Sequence, residues 1–336
     1  MPLKKILIVA SFTLTAYLSY AQQHIISILD SGRKTSIRGL SVVDDDIVWA
    51  SGSNGTVARS TDGGKTFEWL RVAGYEKRDF RDIEAFDKNT AIIMGIAEPA
   101  IILKTKDGGK NWYKVFEDST KGMFLDAMDF DYQGRGLVIG DPINEKAFLA
   151  MTNDFGESWE KSESGFTLKK GEAFFASSGT NIKIFMTRHA NISFSYASGG
   201  IVSKYYPFDT TLPLIQGKES TGANSIACSS DKDWIVVGGD FMNDTDTTGN
   251  CALSDYFGQT WYKPTTPPHG YRSCVEYITK DKLITCGTSG VDISNDGGMN
   301  WELISIQSFH VCQKAKMGNK VFLASGNGKI AMLETK

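Results

Sequence analysis

Ser60-Thr61-Asp62-Gly63-Gly64-Lys65-Thr66-Phe67 is the stretch that decides the fold, because it returns along the chain. Thr105-Lys106-Asp107-Gly108-Gly109-Lys110-Asn111-Trp112 repeats it, as do Thr152-Asn153-Asp154-Phe155-Gly156-Glu157-Ser158-Trp159 and Ser294-Asn295-Asp296-Gly297-Gly298-Met299-Asn300-Trp301. A fifth, worn copy is Ser254-Asp255-Tyr256-Phe257-Gly258-Gln259-Thr260-Trp261, with Tyr256 where the Asp should be. The shared pattern is Ser/Thr-x-Asp-x-Gly-x-x-aromatic.

Each position has a physical reason. The motif falls between two β-runs, as with Thr56-Val57-Ala58-Arg59 before the first copy and Phe67 onward after it. A carboxylate two residues before a Gly can accept backbone N–H groups of a turn. The Gly supplies a positive-φ position that a side chain would make costly. The aromatic begins the next strand and can pack into a seam between sheets. Asp62, Asp107, Asp154 and Asp296 are therefore read as structural groups rather than catalytic acids.

The Asp spacings set the period. Asp62 to Asp107 is 45 residues, Asp107 to Asp154 is 47, Asp154 to Tyr256 is 102, and Tyr256 to Asp296 is 40. The long interval is about two periods, so one unit lacks the motif. Such self-similarity marks a repeat architecture, and four-stranded blades around a channel fit it. Blades are expected at 37–72, 80–116, 123–162, 172–208, 224–264 and 271–304. Residues 309–333 offer three strands only, and 24–30 is an apolar strand without a blade. Pairing the two completes a last blade and closes the ring. The expected fold is all-β, a seven-bladed propeller, with six blades the alternative count.

Composition agrees with an all-β globular chain. The 336 residues are 41% hydrophobic and 22% charged with net charge −3, and no long 3.6-residue periodicity appears. There is no basic stripe of the kind nucleic acid requires. Residues 1–21 read as a secretory signal peptide: Lys4 and Lys5, an apolar stretch from Ile6 to Leu18, then Ser19-Tyr20-Ala21 at a small-x-small cleavage site. The apolar run is short for a span of about 20 residues. Cleavage before Gln22 takes the charge from −3 to −5 and leaves a single domain at 22–336 with no transmembrane span. No Cys follows the cleavage site, which argues against a lipoprotein. The expected location is periplasmic or secreted, and the expected state is monomeric.

Five cysteines remain, Cys228, Cys251, Cys274, Cys286 and Cys312. An odd count leaves at least one unpaired or intermolecular. Cys274 and Cys286 flank one predicted hairpin turn. All five sit in apolar strands, so buried free thiols are the reading adopted. The four His are scattered and form no zinc pattern. The 240–251 turn offers Asn243, Asp244 and Asp246 as hard oxygen ligands, but lacks the Gly and final Glu of an EF-hand, and reads as a solvated rim loop. Neither a metal nor a cofactor is expected.

The motif resembles the Asp-box, or BNR, repeat of sialidase-type propellers. With the blade count, the signal peptide and boxes of the form Asp-Gly-Gly-x-x-Trp, the chain is similar over nearly its whole mature length to proteins related to the photosystem II stability/assembly factor. That resemblance implies a binding or assembly scaffold holding a membrane-protein client. Bacterial relatives often carry an oxidoreductase label, but no strand–GxGxxG–helix unit or redox motif here supports it.

Topology sorts the candidate site residues. Box turns join strands three and four, so the starts of first strands lie on the opposite face, at the channel mouth. Arg38, Arg81 and Arg272 occupy that slot, with His310 in the last blade and Asn224 near it in the fifth. Arg188 stands in the turn of the fourth. Paired guanidiniums grip carboxylate or phosphate, so these residues are expected to bind an anion. By blade position they resemble the Arg trio that sialidases use for a substrate carboxylate. The bland reading pairs them with local acids such as Asp79, Asp82 or Glu276.

Glu98, Asp141 and Asp240 are placed on the same face, and Tyr271 adjoins Arg272. Two carboxylates beside a sugar can run glycoside chemistry, and Tyr can be the nucleophile. The alternative is turn carboxylates and a packed phenol, and the fold alone does not decide whether the protein is an enzyme. The principal functional reading is a binding or assembly module with an envelope protein client. The alternative is a sialidase-like glycosidase or lyase acting on an acidic glycan, or a small carboxylate held at the mouth. Against the alternative, the sialidase Arg-Ile-Pro is here Ile37-Arg38-Gly39.

Overall fold

In the computed structural model, which describes residues 24–162, 166–186, 192–229, 233–255 and 258–335, four copies of the motif fold by one hydrogen-bond scheme. Ser60 Oγ donates to Asp62 Oδ1 at 2.8 Å and accepts the Gly64 N–H at 2.9 Å. The same carboxylate takes the Thr66 N–H at 3.0 Å and the Thr66 hydroxyl at 2.6 Å. Asp107 is met in the same way by Thr105 and Asn111, Asp154 by Thr152 and Ser158, and Asp296 by Ser294 and Asn300. The turn needs two consecutive positive-φ residues, Gly63 and Gly64 at 75° and 84° in the first copy. Bonds from Thr66 hold the Asp62 carboxyl down to about 2, and bonds from Asn111 do the same for Asp107. At the fifth copy, Tyr256 lies outside the described residues, as do Arg188 and the 1–21 segment.

The strands on either side of these turns build antiparallel sheets. The first blade runs Ile37–Val42, Val48–Gly52, Thr56–Ser60, Glu68–Arg71. The second runs Phe80–Ala85, Ala91–Gly95, Ala100–Thr105, Tyr113–Asp118, and the third Leu125–Phe130, Gly136–Ile143, Lys146–Thr152, Glu160–Lys161. Farther along, Thr221–Cys228, Trp234–Asp240 and Cys251–Ser254 form one sheet, and Cys274–Tyr277, Leu283–Gly287, Gly290–Ser294 and Glu302–Ser305 form the next. The last sheet joins the two ends of the chain: His24–Asp30 pairs antiparallel with Ile330–Thr335, which continues into Val321–Ala324 and Val311–Lys314.

The expectation of seven four-stranded blades needs correction. Six sheets of four or five strands are present among the described residues, which matches the alternative count. The 172–208 sector, expected as a boxless blade, holds instead two separate two-stranded pieces, Ile182–Met186 with Ile192–Tyr196 and Lys204–Tyr205 with Thr210–Thr211. Glu172–Ala173 and Gly199–Gly200 have joined the edge of the Thr221–Cys228 sheet. This sector still occupies a place in the ring, because Ile182–Met186 packs between Leu125–Phe130 and Thr221–Cys228. Aromatic stacking takes over where a box would have tied the outer strands. Phe166 lies 4.4 Å from Tyr196 and Tyr196 lies 5.0 Å from Tyr206, both stacked.

Blade seams carry the core. Trp49 and Val57 of the first blade pack with Phe80, Ile93 and Leu103 of the second, and the box aromatic Trp112 covers them. Each box turn leans on the blade before it: the α-carbon of Gly109 faces Trp49 and Leu70, and that of Gly156 faces Ile92. Cys251, Cys274, Cys286 and Cys312 are buried in these seams and all five cysteines are free thiols. Cys274 and Cys286 are direct cross-strand partners.

Candidate site at the channel mouth

The inner strands begin on one face of the ring, and their first residues line a cavity of about 530 Å³. Arg38, Arg81, Asn224, Tyr271, His310 and Asp141 all reach it. So the mouth expected from topology exists. A larger cavity, about 770 Å³, opens on the opposite face, where the first strands end and turn into the second. Its charges largely cancel in pairs, Lys183 with Asp129 at 3.7 Å and Lys316 with Glu84.

Segment 174–181 separates these two faces. It leads into Ile182–Met186 and runs inside the ring, with Ala176 through Asn181 all buried. Small polar side chains satisfy their needs against several blades at once. Ser177 Oγ donates to Asn224 Oδ1 at 3.1 Å, Ser178 Oγ to the Ser273 carbonyl at 2.7 Å, and Thr180 Oγ1 to Ser225 Oγ at 2.7 Å. Gly179 sits at φ 69° against Asp82, where a Cβ would come within 2.3 Å of the carboxyl carbon. Asp82 is itself held by the N–H groups of Ile83 and Met128, both at 2.8 Å. The sequence reading missed this plug. Its signal was a run of small polar residues around Gly179, placed where the motif is missing.

The plug positions Arg38. Its Nη1 donates to the Ser177 carbonyl at 3.1 Å, and no carboxylate among the described residues forms an ion pair with it. Burial, then the neighbouring Arg81 guanidinium, pull the Arg38 pKa down from its ordinary value. Arg81 is braced by Asp79, Nε to Oδ2 at 2.8 Å, and its guanidinium lies 5.9 Å from the Phe124 ring centre. The local-acid reading therefore holds for Arg81, although it still faces the cavity.

Arg272 does not join the group. It is fully buried, and its Nε and Nη2 both donate to Asp292 Oδ2, with Nη1 on the Tyr271 carbonyl and Ser289 Oγ. Successive residues of an extended chain face opposite ways. Here Tyr271 takes the mouth position and Arg272 turns into the blade. The expected trio is thus a pair.

Tyr271 is 4% exposed and donates to Asn224 Oδ1 at 2.8 Å. Burial pushes its phenol well above the usual range, which leaves it a neutral donor and a poor nucleophile. Asn224 is occupied by Tyr271 and Ser177, so it braces the wall rather than reaching for a ligand. His310 Nδ1 lies 2.9 Å from the Ile37 carbonyl, which only accepts, so Nδ1 carries the proton. Burial, then Arg38, bring the His310 pKa down to about 4, and the ring is neutral at physiological pH.

The candidate acids part ways. Asp141 lines the mouth and accepts the Phe174 N–H at 3.0 Å. Glu98 is exposed in a turn, accepting the Gly122 N–H, and does not line the cavity. Asp240 is buried under Lys218 at 3.2 Å; against the penalty of burial, bonds from Ser220 and the Met242 N–H lower its pKa. A second buried carboxylate that the sequence reading passed over, Asp126, does line the cavity.

Among the described residues no group of three or more His, Cys, Asp or Glu gathers in a metal-binding arrangement. No helix among them is long and apolar enough to cross a membrane.

A family model described as photosynthesis system II assembly factor YCF48 matches residues 20–122. The chain is similar to photosystem II assembly factor propellers. It is 23% identical over 268 residues to "Photosystem II assembly lipoprotein Ycf48" of Synechococcus sp. (strain CC9902), an alignment covering 78% of this chain and 73% of that one. Among solved structures, "YCF48 bound to D1 peptide" superposes with a TM-score of 0.64 at 18% identity, covering 95% of this chain and 97% of that one. "YCF48 from Cyanidioschyzon merolae" gives 0.65 at 14% identity, covering 92% and 98%. These structural likenesses show the propeller fold over most of the chain, including the parts outside the family match.

Proposed function

We propose that this assembly factor-like propeller is an exported, non-catalytic binding module whose channel mouth holds a carboxylate of a membrane-protein client. The observation that carries the reading is Arg38. A guanidinium drawn into a cavity beside a second guanidinium, with a carbonyl but no carboxylate partner among the described residues, is suited to accept an anion. Arg81 supplies the second fork. One solved relative is described as bound to a D1 peptide and a curated relative as an assembly lipoprotein, so a polypeptide client is the ligand favoured over an acidic glycan. Residues 1–21 act as the export signal in this reading, with Gln22 as the mature N-terminus.

The test is binding of residues 22–336 to a panel of acidic peptides, acidic glycans and small carboxylates, beside Arg38→Ala. Binding by the wild type and its loss in a variant with unchanged circular dichroism supports the reading. Turnover of any bound glycan would replace it with the glycosidase. Mass spectrometry of the exported protein checks the cleavage before Gln22.

A further inference from the structure

The mouth carries both signs of charge. Arg38, Arg81 and His310 come from the first, second and last blades, and Asp126 and Asp141 both come from the third. Asp126 is 0% exposed, and neither of its carboxylate oxygens meets the geometry of a hydrogen bond to any described group, although the backbone amides of Asp141 and Ala176 face it. A buried carboxyl that meets only poorly aligned backbone amides still asks for a partner. Asp141 shares that wall, and one of its oxygens is committed to the Phe174 N–H. Neither acid has an ion pair among the described residues; Arg81, whose charge acts on Asp126, is held by Asp79.

We propose that Asp141, backed by Asp126, is a cation-accepting subsite, and that the mouth takes an amphoteric ligand: a carboxylate on Arg38 and Arg81 together with an ammonium on the acidic wall. The inference rests on the carboxylate reading above and adds the second half of the ligand. An ammonium fits better than a metal ion, since two carboxylates without a third ligand make no metal set among the described residues. Burial raises the pKa of both acids, and the two raise it further for Asp126 by facing each other. An arriving ammonium reverses that, so a proton leaves the wall as the ligand enters. Phe124, Phe175 and Phe241 line the same cavity and suit an apolar stem between the two charged ends. Two sources share this chemistry, a free amino acid and neighbouring acidic and lysine side chains of a client segment.

The experiment uses matched probes that differ only in the ammonium. Hexanoate is compared with 6-aminohexanoate, and acetyl-Glu-Ala-Lys-amide with acetyl-Glu-Ala-norleucine-amide, by calorimetry in two buffers of different ionisation enthalpy. The expected result is a preference of about tenfold or more for the ammonium-bearing member of at least one pair, as a charge-assisted hydrogen bond supplies. Proton release should accompany that binding. The small pair reports a free amino acid and the peptide pair a client. Asp141→Asn keeps the oxygen that accepts the Phe174 N–H, and Asp126→Asn keeps the shape of the wall. Either should shrink the preference to less than about threefold while the ammonium-free probe binds as before. Equal binding of both members of each pair, or a preference untouched in both variants, overturns the acidic subsite while leaving the Arg38 site standing. Failure of every probe to bind the wild type overturns both.

Discussion

Arg38 Nη1 lies 3.1 Å from the carbonyl oxygen of Ser177, although the two residues stand 139 positions apart in the chain. A planar fork anchored at one tip leaves its other N–H groups for a ligand. Arg38→Lys preserves the charge and loses the fork. Carboxylate binding by this variant should weaken by about tenfold, measured by calorimetry on protein of unchanged circular dichroism. Undiminished affinity would show that a point charge is enough and that the paired geometry is irrelevant.

Gly179 carries the plug past Asp82 at positive φ. Gly179→Ala adds a strained backbone position and pushes a methyl into a carboxyl group. Urea denaturation should show a loss of about 2–4 kcal/mol, larger than for Gly122→Ala, where a Cβ meets nothing within 4 Å. Equal losses at the two sites would mean that the plug yields.

Buried His310 brings a pH dependence. Its folded pKa of about 4 lies below the unfolded value. The unfolded chain therefore binds the proton first, and stability present above about pH 6.5 is lost as pH falls toward 4. The full effect is on the order of 3 kcal/mol. His310→Gln should flatten the curve of melting temperature against pH in that window. A curve of unchanged slope would mean that the ring is already charged.

The box carboxylates act in a lower window. Asp62, Asp107 and Asp154 sit near 2 in the fold. Their contribution is present above the unfolded carboxylate range near 4 and lost as pH falls through 2. Asp107→Asn should remove part of the acid limb of the stability curve while leaving the limb between pH 6.5 and 4 in place. Loss of both limbs together would assign them to one group.

Arg272 and Asp292 are both fully buried. Removing Arg272 leaves Asp292 with His269 alone, and removing Asp292 leaves Arg272 with no carboxylate, so Arg272→Ala or Asp292→Ala should each cost about 3–5 kcal/mol. The double replacement Arg272→Met with Asp292→Leu should be much milder than the sum of the single losses. Additive losses in denaturant melts would show that the pair does not act as a unit.

Much of this was legible in the chain. The Ser-x-Asp-x-Gly turns announced themselves because the bonds of their hydroxyl and carboxylate are local, from Ser60 to Thr66 in the first copy. The closing pair of termini was legible because 309–333 lacked a strand and 24–30 lacked a sheet. The mouth followed from strand direction alone. What escaped depended on side-chain facing and on long-range contact. Arg272 sits one residue from the slot that Tyr271 fills, and a one-residue difference in an extended chain turns a ligand-facing group into a buried one. Asp292, which receives it, comes from a strand with no polar pattern to flag it. Segment 174–181 has neither motif nor apolar alternation, so its place inside the ring could not be read from local sequence.

The pairing of His24–Asp30 with Ile330–Thr335 also sets the order of events in biosynthesis. The strand at 24–30 must wait for the one at 330–335. Until then its edge is open, and the Ile26 and Leu29 side chains that finish the Phe309–Phe322 core have nothing to cover. An open edge of this kind is a template for pairing with another chain, so the ring's closing contact is also its protection against association.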